Sequence, residues 1–246
     1  MSLPSDKPLQ KLQFYVTTGY SCGYLPNKLA QSLIASPQHL IDANVYSGLI
    51  QQGFRRSGKF AYRPHCENCC ECIPVRLILK DFALTRSQKR AFKQHQNLTI
   101  SILSVEFYEE HYQLYTAYQN ARHLDINAPD KTTNQEKKDD AEQYKNFLCQ
   151  TNVESVFIEF RESNQLKMVS VIDIVRDGIS AVYTFYDPSD TKTSYGTYNV
   201  LWQAEWAKQL ELPYLYLGYW IKDSQKMAYK QNFKPLEKLI DGEWLK

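Results

Sequence analysis

Apolar residues recur along the chain at two periods, and the switches between them divide it into two stretches. In the first, residues 12–17 and 60–63 read as short extended segments. Residues 44–52 carry Val45, Leu49 and Ile50 at helical spacing, and Gly53 ends that helix. Residues 73–79 are again extended, and residues 85–96 form a basic helix opened by Thr85 or Ser87. The second stretch starts near residue 98 with a strand over 98–105 and a tyrosine-rich helix over 108–122. A polar, charged segment over 125–138 is expected to be mobile. Strands over 155–161, 167–175 and 179–186 follow, separated by Glu162-Ser163-Asn164 and Arg176-Asp177-Gly178 turns, a spacing that predicts an antiparallel meander. After Pro188-Ser189-Asp190 comes a helix over 197–210 with Val200, Leu201, Ala204 and Ala207 on one face, stopped by Pro213. A strand over 214–219, a short helix over 224–231 and a segment over 236–240 close the chain.

Composition adds bounds. The chain has 246 residues, 43% of them hydrophobic, enough for a buried core in two modest domains or one large one. Residues 1–10 are polar, no apolar run reaches membrane-spanning length, and no secretory pattern is visible, so a cytoplasmic location without membrane contact is expected. Five of the six cysteines, Cys22, Cys66, Cys69, Cys70 and Cys72, lie in the first third; in a reducing compartment this suggests metal or thiol chemistry. The formal net charge is only +2, yet between Gly53 and His95 ten Lys and Arg face Glu67, Glu71 and Asp81. That window is either a polyanion footprint or a set of solvated faces.

The element order strand, helix, helix, meander, helix, strand, helix, strand is that of the GCN5-related N-acyltransferase fold. The expected architecture is therefore α+β, with an acyltransferase-like domain over residues 98–246 and a smaller cysteine-rich α+β domain over residues 1–97. Longer strings carry a family resemblance. Gly19-Tyr20-Ser21-Cys22-Gly23-Tyr24-Leu25, Gly53-Phe54-Arg55-Arg56-Ser57-Gly58, Tyr62-Arg63-Pro64 and the cysteine cluster running into Ile73-Pro74-Val75-Arg76 resemble the N-terminal region of the arginyl-tRNA–protein transferase family. Phe185-Tyr186-Asp187-Pro188, Ser194-Tyr195-Gly196-Thr197-Tyr198, Leu217-Gly218-Tyr219-Trp220-Ile221 and Lys226-Met227-Ala228-Tyr229-Lys230 resemble its C-terminal region. The wording is closer to the bacterial, leucine-transferring branch than to the eukaryotic, arginine-transferring one. This implies leucyl-tRNA as donor, proteins with N-terminal Asp or Glu as acceptors, and a degradation signal as product, with arginine the alternative donated residue. Eukaryotic members carry a second cysteine where this chain has Leu25, so their four-cysteine site does not transfer intact. Cys22, Cys66, Cys69 and Cys72 are the candidate ligands for zinc or an iron–sulfur cluster; buried structural thiols are the alternative.

An aminoacyl ester is already activated, so the chemistry needs alignment, loss of one proton and stabilisation of an oxyanion. No catalytic triad is visible. The suspected acyltransferase fold implies a donor near Tyr186 and Asp187 and at the helix start, with Gly196 for close approach and Thr197 as a cap, or both merely starting the helix, and Asp187 as proton acceptor, amine anchor or simple turn residue. Arg55, Arg56, Arg63 and Arg76 are candidate readers of an acidic acceptor residue or contacts to tRNA phosphate. Lys89, Arg90 and Lys93, at helical spacing, suit phosphate or a plain solvated helix face, and Lys226, Lys230 and the aromatics Tyr219, Trp220 and Tyr229 suit the tRNA end, with core packing the alternative for the aromatics. Trp202 and Trp206 read as core. Two rival classes stand beside this reading. A coenzyme-A-dependent N-acetyltransferase would carry a glycine-rich pyrophosphate loop, which Ser194-Tyr195-Gly196-Thr197 lacks; an RNA-binding module leaves the meander and helix strings unexplained.

Overall fold

The computed structural model describes residues 11–122, 140–189 and 194–246; the segment 125–138 expected to be mobile lies outside them. The backbone is built around a mixed eight-stranded sheet and a four-stranded one. The expected meander is β9 (Ser155–Glu162), β10 (Gln165–Val175) and β11 (Gly178–Tyr186), paired antiparallel, with β8 (Thr99–Ser104) beyond β9. Ser163 and Asn164 both hold positive φ between β9 and β10, the backbone that a two-residue hairpin of right-handed strands requires. On the other side of β11 lies β12 (Tyr214–Trp220), parallel to it after a crossover through a helix, here α4, Tyr195–Gln209.

The sheet then continues with a strand from the chain's first third. β7 (Ile73–Ile78) lies antiparallel between β12 and β13 (Leu236–Ile240), and β14 (Glu243–Leu245) completes the edge. The expected boundary at residue 97 therefore runs through a continuous sheet. The four-stranded sheet holds β1 (Gln13–Val16), β4 (Ser32–Ser36), β6 (Phe60–Pro64) and β5 (Arg55–Ser57), in that order, and β2 (Tyr20–Ser21) pairs with β3 (Leu29–Ala30).

Period-2 alternation sends successive side chains of β10 to opposite faces. Met168 and Ile172 join Leu77, Phe160, Leu201, Ala204 and Leu215 beneath α4 and α2 (Arg86–Gln94). Val169 and Val171 join Phe157, Phe185 and Leu148 on the other face, beneath α3 (Glu109–Arg122). α1 (Ala43–Gln51) fills a third core with Tyr46, Leu49, Phe54 and Ala61, reaching Val175 and Tyr216 of the large sheet. The predicted face of α4 is buried, and Trp202 and Trp206 are half-buried against the core, Trp202 edge-on to Phe160 at 5.2 Å. At α2 the start is Thr85, which forms a reciprocal capping box with Gln88. The short helix over 224–231 is one α-turn, α5 (Gln225–Ala228), tightened into a 3₁₀ turn over Tyr229–Asn232. Among the described residues no helix is long and apolar enough to cross a membrane.

Candidate functional site

β11 and β12 pair only over Gly178–Ser180 and Tyr214–Tyr216; beyond that they part. The carbonyls of β11 past the fork have lost their neighbouring strand and need donors from elsewhere. Arg55 supplies them. On β5 the alternation sends Arg56 inward and Arg55 to the opposite face, into the fork. Its Nη2 donates to the carbonyls of Ala181 and Val182. Gly218 makes room on the other side: its φ is +78°, a Cβ there would lie 3.0 Å from the guanidinium, and β12 shifts register at this point. Arg55 Nη1 is buried and has no hydrogen-bond partner among the described residues.

Above the fork opens a cleft of about 920 Å³, lined by Arg55, Arg122, Tyr186, Gly196, Thr197, Lys226, Tyr229 and Lys230 among others. No carboxylate is found among its described lining residues, which carry arginines and lysines. Arg122, at the end of α3, donates to the Tyr186 hydroxyl and lies 5.3 Å from the Tyr118 ring. α4 begins at Tyr195, with Ser194 as a left-handed N-cap that makes no side-chain bond. Thr197 is thus in the first turn and not the expected cap. A Cβ on Gly196 would meet nothing within 4 Å, so protein packing does not demand glycine there and the first-turn backbone stays approachable.

Several expected site residues are engaged elsewhere. Asp187 is absent from the cleft lining; it accepts from Lys167 Nζ at 3.1 Å and from the Ser189 amide and hydroxyl. Partial burial raises its pKa, but these bonds outweigh that and hold it below the usual carboxylate value, which makes it a weak base. Arg56 is among the lining residues, but its guanidinium is engaged by Asp173 at 2.9 and 2.7 Å, both side chains almost fully buried. Arg63 donates to the Gln52 carbonyl and lies 5.2 Å from the Phe54 ring, outside the cleft. Tyr219 is buried and donates to the Gly53 carbonyl, so it ties β12 to the first third and is not free to stack on a base. Trp220 is half-buried with Lys238 Nζ 4.0 Å from its ring, whereas Tyr229 is 41% exposed at the cleft mouth. Lys89, Arg90 and Lys93 are exposed on α2. The first turn of α2 lines a second cavity of about 1180 Å³ that shares Ser194, Thr197 and Tyr229 with the cleft and holds Lys234, Lys238 and Lys246.

Arg76 does not line the cleft and is engaged within the fold. Its guanidinium sits 3.7 Å from the Tyr214 ring and 4.3 Å from Trp244, and donates to Glu237 at 2.7 Å, Gln51 at 3.0 Å and the Tyr216 hydroxyl at 3.2 Å. It thereby joins β7, β12, β13, β14 and α1. Arg76→Ala is expected to cost about 3 kcal/mol by leaving Glu237 without its partner, and a thermal melt will show it. A variant that melts like the wild type but loses acceptor discrimination would restore the substrate-reading role.

Cys22, Cys66, Cys69 and Cys72 are close enough to act on one another: burial first, then Cys66, Cys22 and Cys69, pushes the Cys72 thiol up to about 12. Cys66 and Cys69 face each other across an isolated β-bridge. Among the described residues, however, no three His, Cys, Asp or Glu side chains converge as metal ligands. The cysteines as arranged therefore present no ready metal site, and no step is routed through one.

Known proteins resemble this chain over nearly its whole length. Sequence models of the arginine-tRNA-protein transferase family match the chain at residues 20–90 for the N terminus and 110–240 for the C terminus. A protein of Methylobacillus flagellatus named aspartate/glutamate leucyltransferase is 64% identical over 244 residues, covering 99% of this chain and 95% of that protein. A Nitrosospira multiformis protein of the same name is 51% identical, covering 99% and 94%. Among solved structures, L-PGS from Bacillus licheniformis covers 61% of this chain and 47% of its own at 12% identity and a TM-score of 0.43, below what defines a shared fold. With both halves matched in order and relatives aligned over nearly their whole length, the chain belongs to the arginine-tRNA-protein transferase family.

Proposed function

We propose that this protein transfers leucine from leucyl-tRNA to the α-amine of proteins beginning with Asp or Glu, marking them for degradation in the cytoplasm. The observation that carries the reading is the cleft at the parting of β11 and β12, whose described lining carries cations and no carboxylate, with a buried Arg55 N–H left for an incoming oxygen. In this reading the large sheet is acyltransferase-like, and the small sheet is a cap whose contribution to the chemistry is Arg55. The leucyl ester lies in the fork. Attack by the acceptor amine converts its carbonyl to an oxyanion, which Arg55 Nη1 and the first amides of α4 stabilise. The acceptor's Asp or Glu carboxylate meets the Arg122 guanidinium, a planar fork suited to it. Tyr229 stacks on the terminal base, and Lys226 takes a nearby phosphate. Supporting leucine over arginine as the donated residue is the shared name of the relatives.

Incubation with labelled leucyl- and arginyl-tRNA and peptides beginning with Asp, Glu, Arg or Ala tests this. Label is expected on Asp and Glu peptides from leucyl-tRNA; no transfer to any peptide would sink the reading, and transfer from acetyl-coenzyme A would support an acetyltransferase. The tRNA body is expected to cross α2 and the lysine-bearing second cavity. Replacing Lys89, Arg90 and Lys93 together by Ala should lower the slope of log affinity against log salt by roughly 2 to 3. Filter binding from low to high salt reads this directly, and an unchanged slope removes α2 from the tRNA path.

A further inference from the structure

Transfer requires that the acceptor's α-ammonium lose a proton, yet the cleft holds no carboxylate among its described lining residues and Asp187 is engaged by Lys167. We infer that the side-chain amine of Lys230 is the group that takes this proton; the inference rests on the transfer reading above and assigns its base. Lys230 follows α5 in the 3₁₀ turn, is 6% exposed and lines the cleft. Its Nζ donates to the Tyr219 carbonyl at 2.6 Å and lies 3.4 Å from Met227 Sδ. A neutral amine has two N–H groups and one lone pair, so these partners use both hydrogens and leave the lone pair for a proton. An ammonium would carry a third hydrogen and a full charge, and among the described residues no carboxylate pairs with it.

The surroundings favour the neutral form. Burial first, then the charge of Arg55 from β5, lowers the Lys230 pKa to about 7. The opposing group is Cys72 ahead of β7, whose thiol, pushed up to about 12, stays neutral in this range. An acceptor α-amine has a pKa of roughly 7.7 to 8.0, so Lys230 is matched to it within about one unit, as efficient general catalysis requires. The α-ammonium gives one proton to Nζ, and the freed amine attacks the ester carbon. A C–N bond forms and the carbonyl electron pair moves to oxygen beside Arg55. When that pair returns, the C–O bond to the terminal ribose breaks and the Lys230 ammonium delivers its proton to the ribose oxygen. The attacking nitrogen's second proton passes to Nζ and then to solvent, leaving an amide and a free 3′ end.

The full-length enzyme with leucyl-tRNA and an Asp peptide tests the assignment. Lys230→Met should lower kcat on the order of 10²- to 10⁴-fold, with tRNA retention on filters, peptide KM and melting temperature nearly unchanged. Wild-type kcat should rise with pH through about 7, as the amine deprotonates, and level off above; that limb should vanish in Lys230→Met. Added ethylamine should restore leucyl-peptide formation in Lys230→Ala, which leaves room for it, and not in Lys230→Arg, whose side chain stays protonated and fills the space. The ¹³Cε resonance of Lys230 in the wild type should titrate near neutrality. Near-normal kcat in Lys230→Met, a loss in Lys230→Ala that ethylamine leaves untouched while melting and tRNA binding fall with it, or titration in the ordinary lysine range each overturns the inference. A wild-type enzyme that transfers nothing from leucyl-tRNA instead overturns the reading on which it rests.

Discussion

Replacing Arg56 by Met is expected to lower the unfolding free energy by about 3 to 5 kcal/mol, because it leaves Asp173 buried without its counter-charge. Arg56 sits on β5 of the small sheet and Asp173 on β10 of the large one, with side-chain exposures of 2% and 0%. The pair is bidentate, Ser155 adds a 2.6 Å bond to the carboxylate, and Arg56 Nη1 donates to the Gly58 carbonyl at 3.0 Å. Burial acts to lower the Arg56 pKa, but the Asp173 charge and bonds outweigh it and raise the value, so the ion pair is strongly preferred in the fold. For a chain of this length each kcal/mol corresponds to roughly 2 to 4 °C in melting temperature. Calorimetry should therefore register a fall of roughly 10 °C. Arg56→Met combined with Asp173→Leu should recover most of it, since no charge is then left buried. If Arg56→Met alone melts within roughly 2 °C of the wild type, the two sheets are held by apolar contact and the pair is incidental.

Arg55→Lys should cut transfer by roughly 10²- to 10³-fold, the usual effect of removing a preorganised donor from a developing oxyanion. A lysine can replace one of the bonds to the Ala181 and Val182 carbonyls, but it cannot hold both and also offer a planar N–H into the fork. The loss should fall on kcat, with tRNA affinity kept, because the oxyanion exists only at the transition state. Gly218→Ala provides a second approach to the same geometry. Its Cβ would stand 3.0 Å from the guanidinium at a φ of +78°, so Arg55 must shift and the backbone is strained. A smaller loss in the same parameter is expected. If Arg55→Lys instead raises KM for the peptide with kcat intact, Arg55 reads the acceptor and does not touch the reacting carbonyl.

Neighbouring residues of one type separate in their roles, and only the fold separates them. Arg55 and Arg56 differ by one position on a strand, which places them on opposite faces; one enters the fork and the other the interior. Arg76 had the same apparent fitness to read a carboxylate, yet it is sandwiched between Tyr214 and Trp244. Arg122 drew no notice in the sequence because an arginine at the end of a polar helix has no periodic signature. Lys230 lay in a string that suggested contact with tRNA; its burial depends on β12, which no local pattern reveals.

The amino-acid sequence by itself determined the element order, the meander and its turns, the buried face of α4 and the stop at Pro213, because periodicity and turn chemistry act over a few residues. Its long shared strings determined the family as well. Tertiary structure alone decided that β7 lies within the large sheet, that β11 and β12 part where Arg55 can enter, and which cations face the cleft. The place of β7 and the entry of Arg55 depend on pairings between residues more than a hundred positions apart, and the rest on how separate elements meet. Such contacts are set by how whole faces bury against one another, a property of the assembled core that no window of sequence contains.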